Sequence, residues 1–143
     1  MLINQRELII EFGDCDPGGI VYFPRYFEFV DACTNALFEL AGLPQPRMQK
    51  MYGIAGIPVV EAKAQFFVPS QFGDRVRVES AVAEWGRSSF SVRHRVLKSE
   101  VLAAELIEKR VWVMRVSDDP VRFKAKSIPW EVKGKFSDLP EKK

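Results

Sequence analysis

The chain has 143 residues, of which 47% are hydrophobic and 28% charged, and a net charge of only +2. Such a length bounds it to one domain, residues 1–143, with enough apolar material for a real core. The composition excludes a disordered chain, and the weak charge gives no footprint for nucleic acid or an anionic membrane as partner. Two cysteines, Cys15 and Cys33, are too few for a disulfide framework and lack metal-ligand spacing. His94 is the only histidine, so neither a His-based triad nor a His-rich metal site can be built. No phosphate-binding Gly-x-Gly-x-x-Gly or Walker-type loop is present. No signal-like segment opens the chain and no apolar run approaches membrane-spanning length, so a soluble cytoplasmic protein is expected.

Residues 5–12 read as a strand entering a turn at Gly13. Pro17-Gly18-Gly19 interrupts regular structure, and Pro24 suits the first position of a helix. From Tyr26 the apolar residues fall at 26, 29/30, 33, 36/37 and 40/41, a helical period with a wide stripe; Glu28, Asp31, Asn35 and Glu39 form the opposite polar stripe. Cys33 lies in the apolar stripe as a small core residue. Gly42 and Pro44 end the helix, and 45–56 reads as a short irregular helical turn. Residues 57–69, 74–85, 88–98 and 101–116 then read as strands. In the second, Val76, Val78 and Val82 share one face; in the third, Phe90, Val92, His94 and Val96 do, which makes His94 a packed, hydrogen-bonded core residue. The short breaks at 71–74, 86–87 and 98–100 suit hairpins. Pro129-Trp130-Glu131 opens a short terminal helix, and the tail over 137–143 reads as loose. The sum is an α+β chain with one long helix and an antiparallel sheet that bury their apolar faces on each other. Trp85 and Trp112 call for cover on the sheet's other face, hence a homo-oligomer.

The stretch from Asp14 to Tyr26 concentrates the chemistry. If Pro24 is the first helical residue, Phe23 is its cap, and a phenyl ring cannot accept the free N–H groups of the helix end. Amides near Phe23 and Arg25 would then remain for water or a ligand oxygen, at the positive end of a helix dipole. Asp14 and Asp16 flank Cys15 and would point to one side of an extended segment. Asp16 before Pro17-Gly18 is good turn chemistry; it is equally a carboxylate able to attack an electrophilic carbonyl or to act as base for water. Cys15 has no histidine near it in sequence to make a nucleophilic pair.

The run Phe12-Gly13-Asp14-Cys15-Asp16-Pro17-Gly18-Gly19-Ile20-Val21-Tyr22-Phe23-Pro24 resembles the signature of the 4-hydroxybenzoyl-CoA thioesterases, hotdog-fold acyl-CoA hydrolases. The likeness continues through Gly42-Leu43-Pro44, Gly56-Ile57-Pro58-Val59-Val60, Phe72-Gly73-Asp74 and Glu84-Trp85-Gly86-Arg87-Ser88-Ser89-Phe90. The resemblance implies a hotdog fold, in which an antiparallel sheet wraps one long helix, with dimers made by sheet extension and pairing into a tetramer. It implies hydrolysis of an aromatic acyl-CoA without cofactor or metal. Asp16 would be nucleophile or general base, and the Phe23 backbone N–H would polarise the thioester carbonyl. Val21, Asp31 and Ile57 would line the acyl group, Asp31 near a ring hydroxyl. Arg87, Ser88 and Ser89 match a turn that holds the CoA phosphates. The chain departs from the pattern at Gly86 and Ser88, which replace basic residues, and at Ile57, which replaces a threonine. Hotdog thioesterases for short aliphatic groups carry a histidine where Phe23 stands, which points to the aromatic branch.

Overall fold

A computed structural model describes residues 1–137; 138–143, most of the tail expected to be loose, lie outside the described residues. Five antiparallel strands form one sheet in the order β1-β3-β4-β5-β2, where β1 is Asn4–Ile9, β2 Val59–Phe66, β3 Arg75–Trp85, β4 Ser89–Lys98 and β5 Val101–Val111. Alternation places Val76, Val78, Ser80 and Val82 of β3 and Phe90, Val92, His94 and Val96 of β4 on the buried face, as expected. The 17-residue helix α1, Pro24–Leu40, packs there with Tyr26, Val30, Cys33, Thr34, Leu37 and Phe38 buried. Burying one such large apolar side chain contributes roughly 1.5–3 kcal/mol, so this seam dominates the fold. The β4–β5 connection turns on Ser99 and Glu100, both with positive φ (51° and 66°), the geometry of a two-residue hairpin loop.

Two segments depart from expectation. Residues 45–52 are a regular eight-residue helix, α2 (Gln45–Tyr52), not an irregular turn. Pro44 and Pro46 preset its entry, Gly53 closes it at φ 67°, and fully buried Met48 anchors it. The last strand run breaks at Trp112. The Trp112 N–H donates to the Ser88 carbonyl at 2.8 Å, and β6 (Val113–Arg115) leaves the main sheet to pair with β7 (Phe123–Ala125). Its indole is 1% exposed and meets Tyr52 at 5.7 Å, while Trp85 packs on Phe90 and Phe136. Both tryptophans thus serve the chain's own core and do not call for a partner. The terminal helix α3 (Trp130–Gly134) starts one residue after Pro129, and Phe136 beyond it meets Phe38 at 4.7 Å.

The outer face of the sheet is charged, with Arg93 and Glu105 paired across β4 and β5. Edge strand β2 is the apolar exception: Val59, Val60 and Phe66 are exposed along it. No described helix is long and apolar enough to cross a membrane.

Candidate active site

The stretch before α1 is a closed knot of backbone bonds. A 3-10 turn, Phe12–Asp14, is locked by a capping box in which the Glu11 N–H donates to Asp14 Oδ2 at 2.9 Å. The Asp14 carbonyl accepts from the Tyr22 N–H at 2.8 Å, and Cys15 bridges Val21. Asp14 is therefore spent on structure. Asp16 sits two residues on, at the neck of a tight loop: its N–H donates to the Ile20 carbonyl at 2.9 Å and its carbonyl accepts from the Gly19 N–H at 2.9 Å. Gly19 has φ 86°, a conformation that a side chain would strain. One carboxylate oxygen, Oδ1, accepts the Gly18 N–H at 2.8 Å. The other, Oδ2, has no hydrogen-bond partner among the described residues, and the side chain is half-buried.

Phe23 follows with helical backbone angles, φ −55° and ψ −34°, and no side-chain cap. The Arg25 N–H, expected to be free, donates to the Tyr22 carbonyl at 2.8 Å, and the Tyr26 N–H to the Phe23 carbonyl at 3.0 Å. The helix begins at Pro24 as expected, but i→i−3 bonds at its entry absorb the Arg25 amide. The Phe23 N–H alone remains: Val21 and Tyr22 donate to Ser70 and Asp14, and Phe23 donates to no described residue. An unpaired donor and an unpaired carboxylate oxygen are the two kinds of group that acyl transfer needs.

A cavity of about 370 Å³ opens at Phe23, walled by Val21, Phe23, Tyr26, Phe66 and Ser70 among others. Phe66 reaches in from the end of β2 and meets Tyr26 at 5.2 Å and Phe23 at 6.4 Å. Val21 is in the wall. Tyr26, Phe66 and Ser70 were missed. Ser70 is fully buried, and its hydroxyl has no partner among the described residues; Tyr26 and Phe66 were readable only as ordinary apolar positions. Burial raises the Tyr26 hydroxyl above its usual range.

Asp31 and Ile57 lie elsewhere. Asp31 stands eight positions after Phe23 along α1, about 12 Å of helix rise. Asp31 pairs with Arg110, whose Nη2 stands 2.7 Å from Asp31 Oδ1; the Asp31 side chain is 60% exposed and that of Arg110 4%. Arg110 Nη1 donates to the Ile57 carbonyl at 3.0 Å. A second cavity, about 280 Å³, is lined by Ile57, Pro58, Gln45 and Arg110 and shares no wall residue with the first. Behind Arg110 runs a buried polar chain that the sequence did not announce. Arg110 Nη2 donates to Glu108 Oε2 at 2.9 Å; His94 Nε2 lies 3.0 Å from Glu108 Oε1, and its Nδ1 2.7 Å from Ser80 Oγ; Thr34 Oγ1 donates to the same Glu108 oxygen. Burial alone would raise the Glu108 carboxyl, but hydrogen bonds from His94, Arg110 and Thr34 and the guanidinium charge outweigh it and hold it below the usual carboxylate range.

Arg87, Ser88 and Ser89 form the β3–β4 turn. Its backbone is pinned, with the Gly86 N–H on the Ser89 carbonyl at 2.7 Å and the Ile128 N–H on the Arg87 carbonyl at 2.8 Å. The Arg87 side chain is exposed and pairs with no described residue. On one chain Asp31 and Ile57, joined by Arg110, thus lie apart from Phe23, while the Arg87 turn leads into Ser89 and Phe90, which pair with Val111 and Arg110.

The thioesterase-like superfamily profile matches residues 10–136. The chain belongs to that superfamily. It is 37% identical over 126 residues to the 4-hydroxybenzoyl-CoA thioesterase of Pseudomonas sp. (strain CBS-3), spanning 84% of this chain and 87% of that one. It is 28% identical over 92 residues to the 1,4-dihydroxy-2-naphthoyl-CoA hydrolase of Synechococcus elongatus (strain ATCC 33912 / PCC 7942 / FACHB-805), spanning 64% and 68%. A crystal structure of a 4-hydroxybenzoyl-CoA thioesterase variant complexed with 4-hydroxybenzoyl-CoA superposes with a TM-score of 0.87 at 31% identity, covering 96% of this chain and all of that one. The expected hotdog architecture and membership of the thioesterases are borne out, and this thioesterase-superfamily chain is a thioester hydrolase.

Proposed function

We propose that the protein hydrolyses an aromatic acyl-CoA, 4-hydroxybenzoyl-CoA or a close relative such as benzoyl-CoA, to the free acid and CoA. The observation that supports this best is that the Phe23 N–H, in the wall of a cavity shared with Tyr26 and Phe66, and Asp16 Oδ2, in the loop leading into the same helix, both lack a partner among the described residues. The thioester carbonyl oxygen accepts from the Phe23 N–H, which stabilises the charge it gains as the carbonyl is attacked. Asp16 Oδ2 attacks the carbonyl carbon; the C–S bond breaks, CoA leaves as thiolate, and water then hydrolyses the acyl-aspartyl anhydride. In the other form of the same chemistry Asp16 takes a proton from water, which attacks directly. The bond from Gly18 to Oδ1 orients the carboxylate for either. Asp14 takes no part.

Arg87, Ser88 and Ser89 would hold the CoA phosphates. Because Asp31 and Ile57 are remote from Asp16 on one chain, a second copy would bring them to the acyl group. Edge strand β2, exposed and carrying Phe66, is the surface on which the sheet can extend into such a dimer, and two dimers would form the tetramer.

The test is CoA release from a panel of benzoyl, hydroxybenzoyl, dihydroxynaphthoyl and hexanoyl thioesters by wild type and Asp16→Asn. Cleavage of the single-ring esters by wild type, and loss of it in the variant, is expected. A wild type that cleaves none, or a fully active Asp16→Asn, overturns the reading; a preference for hexanoyl or acyl-carrier-protein thioesters overturns the aromatic part.

A further inference from the structure

The polar chain behind Arg110 plays no part in the hydrolysis described above, yet it ends at the surface. Ser80, His94 and Glu108 lie on the helix side of β3, β4 and β5, and Arg110 follows Glu108 on the same face. From there the guanidinium reaches two elements distant in sequence. It bonds the Asp31 carboxylate on α1 and the Ile57 carbonyl in the segment entering β2, at 2.7 and 3.0 Å. These are two of the three positions at which the resemblance places the acyl group, and one buried side chain joins them. Asp31 Oδ2 makes no hydrogen bond among the described residues.

We propose that Arg110 is a positioning residue for acyl specificity: it locks Asp31 and the Ile57 backbone into one unit, with Asp31 Oδ2 as an oriented acceptor for a hydroxyl group on the acyl ring. The inference rests on the thioesterase reading and on the place the resemblance gives Asp31 near a ring hydroxyl, and adds to them the residue that holds Asp31 there. An exposed aspartate on a helix surface would otherwise move among rotamers and accept from water as readily as from a ligand. The planar guanidinium fork removes that freedom, because its geometry is set by three partners at once. Glu108 holds it from behind, so Arg110 cannot swing out to solvent without stripping Glu108 Oε2 of its partner and leaving a buried carboxylate without its counter-charge. A site built to bond a substrate hydroxyl discriminates against the analogue that lacks it.

The experiment compares kcat/KM for 4-hydroxybenzoyl-CoA and benzoyl-CoA in wild type, Asp31→Asn, Arg110→Lys and the double variant. Lysine keeps the charge but cannot hold Glu108, Asp31 and Ile57 together. Wild type is expected to prefer the hydroxylated ester about tenfold, the value of one charge-assisted hydrogen bond to a partly exposed acceptor. Each single variant should bring that ratio close to one, and the double variant should lower it no further. A purely structural Arg110 would slow both esters alike and leave the ratio intact, which overturns the proposal; so does a ratio that survives Asp31→Asn, or a wild type without preference. As a second arm, Glu108→Gln with Arg110→Met removes the ion pair at similar volume, keeps an acceptor for His94 and Thr34, and should abolish the preference in a folded protein. Calorimetric binding of both esters to Asp16→Asn reads the same ratio without turnover. A protein that binds but never hydrolyses thus sinks the hydrolysis alone, and the binding ratio still decides for or against Arg110.

Discussion

Around Arg110 each polar side chain has found a partner: Ser80 holds His94, His94 and Thr34 hold Glu108, and Arg110 closes on Glu108, Ile57 and Asp31. At the start of α1 the Phe23 N–H and Asp16 Oδ2 have none among the described residues, and the Ser70 hydroxyl beside them is buried and unpaired. The first region lies deep in the core, where an unpaired polar group costs about 1–3 kcal/mol. The second opens onto a cavity, where groups left unpaired by the protein are available to a ligand. The contrast separates what the two regions are for. Saturated polar groups hold the fold and Asp31 in place; under the proposed mechanism the unsaturated ones are those that meet the reacting atoms.

Two substitutions break the contrast most sharply, one on each side. Asp16→Asn should lower turnover by about 100- to 10,000-fold, because an amide neither attacks nor accepts the proton well. Its stability in urea should change by less than about 1 kcal/mol, since asparagine still accepts from Gly18. Glu108→Ala should do the reverse. It leaves His94 and Arg110 without their shared acceptor in the core and should destabilise the fold by about 3–5 kcal/mol. A Glu108→Ala protein of unchanged stability would show that the network is decorative.

The same carboxylate predicts how stability depends on pH. Glu108 is held below its ordinary value of 4.5 in the folded state. The unfolded chain therefore binds that proton first as pH falls. The stabilisation is fully present above 4.5 and is lost as pH drops through the folded value. Urea midpoints from pH 7 to pH 3 should fall more steeply for wild type than for Glu108→Gln. Parallel curves would mean that other carboxylates govern acid unfolding.

The two regions also differed in how far the sequence disclosed them. The frame of α1 was legible from a 3.6-residue period, and the faces of β3 and β4 from alternation. The Asp16 loop was legible as turn chemistry, and family resemblance assigned Asp16 and Phe23 their roles. The Arg110 cluster was not legible. Glu-Lys-Arg at 108–110 looks like solvated charge, and only strand parity puts Glu108 and Arg110 on the face of Leu106. The partners come from other elements at separations of 14 to 79 residues. Trp112 misled for a related reason: one backbone bond to Ser88 ends the strand there, and no local pattern encodes it. Helix α2 was read only as an irregular turn, with Pro44 taken as a stop, though Pro44 and Pro46 both stand at its entry, where proline is tolerated.

A milder change sharpens the picture of the cavity. Phe66→Ala removes a half-exposed ring from the wall shared with Tyr26 and Phe23. Ring–ring contacts of this kind contribute about 0.5–1.5 kcal/mol. KM for benzoyl-CoA should rise about fivefold and that for hexanoyl-CoA less, with kcat little changed. Equal effects on both would make Phe66 part of the dimer surface and not of the acyl site.

The smallest effect is expected at the turn 86–89. Arg87 is exposed and unpaired, so a bound phosphate would meet it in water, where salt screens the attraction. Arg87→Ala should raise KM about threefold at low ionic strength and hardly at all at 0.5 M salt, where the screening length is only a few ångströms. The turn cannot simply regain a basic residue at position 86. A Cβ on Gly86 would stand 2.8 Å from Ser89 Oγ and 3.4 Å from the Ser89 carbonyl oxygen. A side chain there must push the Ser89 hydroxyl away, trading one proposed phosphate ligand for another. Gly86→Lys is therefore expected to leave KM within about twofold of wild type, against the much larger gain that an added charge beside a phosphate would otherwise bring. A KM that falls tenfold in Gly86→Lys would show that Ser89 is dispensable and that charge alone holds the phosphates.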